Sequence, residues 1–487
     1  MTANILYPIT LMSLSIIYIF NFICIIISFN SPLFQYPGFS ILGVLSVLLY
    51  SLVLIVCAIK RDLFFFFLPF IILAFPNVIN DFLPSFMMGP LMESRVASFS
   101  YITHIDIFLI YGLYILKNHK IQNLTILKLY DFLIFVPIIF LFFIATVILS
   151  ISNDLLSLFA IGNYQIRYIF LFILYLLQIK LNISDFRNII YGLSFSLFFL
   201  LIESSFFTLS NGRDHLISGT LAANVFANIT ASITLFFLFI NPKQYNFPKI
   251  YFQTLKLFTI IVGFVILILN GTRMAMLSFF LSGLIYYLIT SFKVKNIIQF
   301  LTRIFGYGLL FFILILIALQ FDKFRSIITI FFDLINFNIK LNEDTASLFA
   351  RLHMYKVSLN MILENWIIGI GPGRWNFLKY DYGFQTMGTL LTNTLLDPHS
   401  DYLSYISQYG IFGLVMISFI LIKPAFKYLK NPRDLTSYFG LIPFTLLISG
   451  LTNSNTLKHQ VFATISMIIF IVHQNFLISK NDRFIDK

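Results

Sequence analysis

His399 stands in the run Asp397-Pro398-His399-Ser400-Asp401-Tyr402-Leu403, just ahead of an apolar stretch. A neutral imidazole at the mouth of a helix can take a proton near neutral pH. A helix-end hydrogen bond is the plainer use of such a histidine. Arg273 opens a second apolar stretch, in Asn270-Gly271-Thr272-Arg273, and Arg167 lies inside a third. A guanidinium in either place suits a phosphate ligand, which it grips as a bidentate fork. It could instead pair with a neighbouring acid and fix helix packing. Glu203, His104 and Asp106 also fall inside apolar stretches, where ionisable groups are costly and are functional candidates by default. Pairing is again the plainer alternative. His104 and Asp106 are two apart and so do not share a helix face. Gly369-Ile370-Gly371-Pro372-Gly373-Arg374-Trp375 is first of all a tight turn, although its backbone could approach a phosphate closely.

These residues must be held by elements that live in lipid. Of 487 residues, 59% are hydrophobic and 11% charged, too little charge to cover a soluble domain of this length. A spanning helix needs about 20 mostly apolar residues. Stretches that approach this lie near 8–29, 39–59, 62–79, 97–116, 129–150, 155–179, 187–209, 219–240, 252–270, 272–290, 300–320, 402–422, 436–452 and 460–478. Pro443 and Gly450 make the stretch over 436–452 the weakest. The expected fold is all-α: a polytopic integral membrane protein with about 14 transmembrane helices, 12 at the least. The first stretch is read as a helix and not as a cleavable signal, because the first basic residue is Lys60 and a signal needs a basic start.

Lys and Arg alternate between loops. With the N-terminus in the cytoplasm, inward loops hold Lys60 and Arg61, Lys117 and Lys120, Lys180 and Arg187, Lys243 and Lys249, Lys293 and Lys295, and Lys423 to Arg433, while the outward loops 30–38 and 151–154 hold none. This is the positive-inside pattern. The net charge of +12 then faces anionic lipid, with no call for nucleic acid. Residues 321–401 form one long outward loop between spans 1–320 and the final membrane section 402–487. Within it, Leu348, Leu352, Tyr355, Leu359, Ile362 and Trp366 recur at helical spacing, with His353, Lys356, Asn360 and Glu364 on another face. That pattern predicts a helix along the membrane interface. Cys24 and Cys57 imply neither a disulfide framework nor a zinc site.

Four segments together resemble the O-antigen ligase and O-antigen polymerase family. Ala223-Asn224-Val225-Phe226-Ala227 is similar to the family's Pro-Asn-x-Phe-Ala, and Gly271-Thr272-Arg273 to its Ser/Thr-Arg helix start. Arg351 to Phe377 resembles the Arg, helix, Gly-x-Gly order, and His399 to Gly413 resembles His-Asn-x-Tyr-Leu followed by Gly-x-x-Gly-Leu. The likeness covers roughly 220–415. Ala223 stands where the family has Pro and Ser400 where it has Asn; the second departure leaves the orientation of His399 open.

The resemblance implies a C-type membrane glycosyltransferase in the bacterial inner membrane, active on its periplasmic face. It implies a donor glycan on undecaprenyl diphosphate and a lipid A–core or glycan acceptor, with no cofactor and no metal. On that basis His399 is the expected base. Arg273 and Arg167 are expected at the diphosphate, assisted by Arg351 or Arg374, with Asn224, Glu203 and Asp401 as further pocket candidates. Ligase-type transfer is favoured over polymerase. The rival from another class is a lipid-linked oligosaccharide flippase, against which the absence of an internal repeat counts.

Overall fold

The structure is a computed structural model. It describes residues 2–29, 41–75, 103–117, 164–210, 223–241, 247–291, 343–371, 374–384, 397–430, 436–455 and 459–474, with a few short pieces between them. The helices are α1 Thr2–Phe29, α2 Ile41–Ile59, α3 Phe64–Leu73, α4 His104–Leu116, α5 Tyr164–Gln178, α6 Ile183–Ser210, α7 Ala223–Phe239, α8 Lys249–Asn270, α9 Arg273–Ser291, α10 Glu343–Glu364, α11 Trp375–Leu378, α12 Asp401–Ile417, α13 Lys423–Lys430, α14 Leu441–Ser449 and α15 His459–His473. Three two-residue strands, Phe34–Gln35, Ser85–Phe86 and Phe99–Ser100, pair antiparallel in that order.

Three helical stretches among the described residues are long and apolar enough to cross a membrane: Ile183–Leu209, Ile250–Asn270 and Asp401–Lys427. The last is longer than expected because a π-helical stretch, Ser418–Ile422, carries α12 on into α13. Shorter apolar helices accompany them. The expected span over 62–79 is cut short: α3 ends at Leu73, where the N–H groups of Ala74 and Phe75 both turn back to the Phe70 carbonyl. The span expected at 129–150, most of that at 300–320 and the junction near 150–155 lie outside the described residues. Over 436–452 the weak pattern resolves into a 3-10 turn, Ser437–Gly440, followed by α14. Pro443 sits in the first turn of α14, where its missing N–H has no partner to lose.

Lipid contact shows on the surface. Leu48, Leu52, Ile55 and Ile59 form an exposed apolar stripe on α2, and Leu257, Ile261, Val265 and Leu269 another on α8. Large apolar patches of this kind are rare on soluble proteins and are what hydrocarbon covers. Inside the bundle, buried hydroxyls bond to their own helix: Thr230, Ser232 and Thr234 donate to the carbonyls of Phe226, Asn228 and Thr230. A membrane interior offers no water to a backbone or hydroxyl group, which favours a partner within the protein. Phe64 stacks between Phe108 and Tyr175 and ties α3 to α4 and α5.

α10 forms where the loop pattern predicts it, and the two sides of the helix are distinct. Ala350, Met354, Val357 and Met361 are buried, the last three against Ile370, Trp375 and Phe384. Leu352, Leu359 and Trp366, members of the expected stripe, are exposed. An exposed apolar stripe beside a buried one suits a helix lying on a bilayer surface.

α12 is broken near its middle, and the break is filled by the loop. Gly410 has φ 58° and ψ −140°, a conformation open to glycine and strained for other residues. The helical ladder therefore stops at Ser407 and Gln408. Their carbonyls accept instead from Ile370 N–H at 2.9 Å and Gly371 N–H at 3.0 Å. In exchange, Ile411 N–H donates to Trp366 O at 2.9 Å. Gly369, at φ +78°, presses so close that a Cβ would stand 2.4 Å from the Gln408 carbonyl. The Gly-x-Gly and Gly-x-x-Gly runs are thus two halves of one joint.

Candidate active site

The candidate site gathers at one end of the bundle, around the start of α12 and the turn 450–455 that follows α14. Ser400 caps α12, its hydroxyl accepting from Leu403 N–H and donating to the Gly450 carbonyl at 3.3 Å. Asp401 N–H donates to Gly450 O at 2.8 Å and to Asn453 O at 3.2 Å. Asp401 itself is fully buried in the first turn of α12, where the helix dipole favours a negative charge.

His399 precedes this cap in the left-handed region, at φ 49°. One carboxylate oxygen holds both its backbone and its ring. Asp397 Oδ1 accepts from His399 N–H at 2.7 Å and lies 2.9 Å from Nδ1. Burial by itself would raise the Asp397 carboxyl. The His399 imidazole, the Ser454 hydroxyl and the His399 N–H outweigh it and hold that carboxyl far below the usual carboxylate range. The His399 side chain is about a third exposed. The Asp397 partnership settles the orientation that Ser400 left open, and sequence reasoning missed it. The signal was Asp two residues before His, a spacing from which a side chain can accept the N–H two residues on.

The arginines separate into different environments. Arg273 is the first residue of α9, directly after the left-handed Gly271 cap of α8, and is half-buried. Arg351, in α10, is half-buried too, and burial pushes its guanidinium below its ordinary range. The positive charge of Arg273 adds to that, while Tyr355 opposes it. The two cations therefore feel one another's charge. Tyr355 reaches from α10 to donate to the Leu451 carbonyl at 3.2 Å, which links the arginine pair to the turn that holds Ser400 and Asp401. Arg374 instead folds back, its Nη1 donating to Ile370 O at 3.0 Å, and braces the joint.

Arg167, expected at the diphosphate, is elsewhere engaged. Its Nε lies 2.9 Å from Asp106 Oδ1, and both side chains are fully buried. Tyr18 donates to Asp106 Oδ1 at 2.8 Å. Thr103 caps α4 and donates to Asp106 Oδ2 through its N–H and hydroxyl, at 2.7 and 2.8 Å. The helix-packing alternative fits this geometry, because the guanidinium lies beside an acid inside the bundle. His104 is likewise used in packing: Nε2 is 3.0 Å from Ile71 O, and its carbonyl accepts from Tyr50.

Asn224 lies half-buried in the first turn of α7. One turn on, Asn228 donates to Asn455 at 2.7 Å, and Asn455 to Ser449 at 2.8 Å. This brings the start of α7 to the same turn, through a residue that sequence reasoning did not single out. Glu203 is half-buried near the end of α6. Lys379, also unforeseen, is buried under the rings of Tyr380 and Phe384. Burial pushes its ammonium down to about 8.

Residues 258–418 match the family model described as O-antigen ligase. The match starts within α8 and takes in Arg273, Arg351, Arg374, His399 and Asp401. No curated protein matches the chain.

Proposed function

We propose, from the match of residues 258–418 to the O-antigen ligase family model, that this chain acts as a member of the O-antigen ligase and polymerase family and moves a glycan from undecaprenyl diphosphate to a lipid A–core saccharide. The reading places the reaction on the periplasmic face of the inner membrane. One observation carries it: Asp397 seats His399 at the mouth of α12, and Tyr355, one turn on from Arg351, bonds to the turn 450–455 that also holds Ser400 at that mouth.

The guanidinium groups of Arg273 and Arg351 each suit a phosphate, and a diphosphate offers oxygens for both forks. Their charge would also stabilise the diphosphate as it leaves. His399 takes the proton of the acceptor hydroxyl as that oxygen attacks the anomeric carbon. The bond from that carbon to the phosphate oxygen breaks, and undecaprenyl diphosphate departs with the electron pair. A single displacement inverts the anomeric centre. A polymerase would run the same step with another lipid-linked unit as acceptor.

General-base catalysis typically contributes about 10²–10⁴-fold. His399→Ala should lower surface glycan transfer by roughly that factor in cells whose own copy is deleted, at unchanged protein level. A His399→Ala protein that accumulates normally and transfers at the wild-type rate would refute the assignment. The orientation has its own check. Ser347→Cys in α10 should react with an impermeant thiol reagent in intact spheroplasts, and labelling only after the membrane is opened would reverse the topology.

A further inference from the structure

We propose that Asp397 is a positioning residue for the transfer, fixing His399 with Nδ1 protonated so that Nε2 carries the lone pair that receives the acceptor's proton. The inference rests on His399 being the base. It goes further by naming which nitrogen acts and which residue decides that.

The argument starts from the chain. His399 has a side chain yet adopts φ 49°, a region that disfavours residues with a Cβ. Something must hold it there, and Asp397 Oδ1 does so through the backbone N–H at 2.7 Å. The same oxygen lies 2.9 Å from Nδ1. An ionised carboxylate only accepts hydrogen bonds, so the nitrogen facing it carries the proton. In a neutral imidazole the other nitrogen is then the acceptor. Ser454 lies close enough to favour the ionised form of the same carboxyl, and its hydroxyl is 3.1 Å from that of Ser404 in α12.

The step balances. The acceptor O–H gives its proton to Nε2 and its oxygen forms the bond to the anomeric carbon. The diphosphate leaves with the electron pair of the broken bond. The imidazolium keeps both N–H groups, one on Asp397, until Nε2 releases its proton to water. Asp397 stays ionised and stabilises the imidazolium while it exists.

Asp397→Asn keeps the shape and an oxygen for the backbone N–H, but removes the charge and offers a donor that can stabilise the wrong tautomer. Transfer should fall by about 10²-fold, in the range found when a carboxylate that orients a catalytic histidine or metal ligand is lost. The assay is labelled sugar reaching surface polysaccharide, per unit protein, in cells lacking their own copy. Asp397→Asn combined with His399→Ala should be no slower than His399→Ala alone, because the aspartate acts only through the histidine. A merely structural Asp397 would lower protein level and would slow the double variant further.

A second readout does not depend on activity. In protein labelled with ¹⁵N-histidine, the signals missing from His399→Ala belong to His399. They should report a protonated Nδ1 in the wild type and a gain of protonated Nε2 in Asp397→Asn. A wild-type His399 protonated at Nε2 overturns the proposal. So does an Asp397→Asn protein that transfers at full rate while His399→Ala is inactive. If His399→Ala is itself fully active, the general-base reading falls instead, so the two failures are told apart.

Discussion

The bundle holds arginine in two opposite ways. Arg167 is sealed among α1, α4 and α5 beside Asp106, whose second oxygen is taken by Thr103. Arg273 and Arg351 are half-buried, and Arg351 feels the Tyr355 hydroxyl and, more weakly, the like charge of Arg273. A cation beside an acid within a dry core is satisfied, and its removal leaves an uncompensated charge. A half-buried cation that feels a like charge is a better place for an anion. Residue type within an apolar stretch therefore does not by itself mark a ligand candidate; the surroundings of the charge matter as much.

The sharpest way to break this contrast is to unmake the sealed pair. Asp106→Ala should cost about 3–5 kcal/mol, the usual penalty for stranding one partner of a buried pair, and deplete the protein from the membrane. Asp106→Leu with Arg167→Met should recover most of that loss, since an apolar replacement of both partners is commonly neutral or better. Thermal denaturation in lipid nanodiscs, alongside transfer per unit protein, separates stability from chemistry. A stable but inactive Asp106→Ala protein would move Arg167 back among the ligand candidates.

At the open pair the effect should appear in activity. Arg273→Lys keeps the charge and loses the planar fork, so transfer should drop at least about tenfold, the worth of one good charge-assisted bond, with protein level unchanged. Equal activity in a well-expressed Arg273→Lys protein would reduce that residue to packing. The smallest effect belongs to the link between the pair and the histidine. Tyr355→Phe removes the single bond to Leu451 O and should lower stability by about 0.5–1.5 kcal/mol. A loss of activity without loss of stability in that variant would show that Arg351 depends on it for placement.

The contrast was only half visible in the chain itself. The helix starts at Arg273 and just after His399 were legible because cap residues and glycine announce a helix end there. The interfacial helix was legible from its period. The partnership of Arg167 with Asp106 was not, because the two belong to different helices and their meeting depends on how α4 packs on α5. Asp397 lay in plain view, but its role needs the left-handed backbone at His399, which nothing in the residue type suggests. Lys379 reads as a solvated loop charge until the rings of Tyr380 and Phe384 close over it. The short α3 was hidden for a similar reason, since Phe-rich sequence continues past the point where its ladder turns back.

The break at Gly410 has a mechanical consequence. A membrane helix with a glycine gap would ordinarily flex there. In α12 the gap is spliced: Ile370, Gly371 and Ile411 bridge it with backbone bonds to Ser407, Gln408 and Trp366. The segment that presents His399 and the loop that bears Arg374 consequently turn as one piece or not at all. Such a splice makes few demands on side-chain chemistry, because its bonds are all main chain. The side chains around it, the two close-packed glycines apart, are therefore free to vary without loosening the frame on which the imidazole stands.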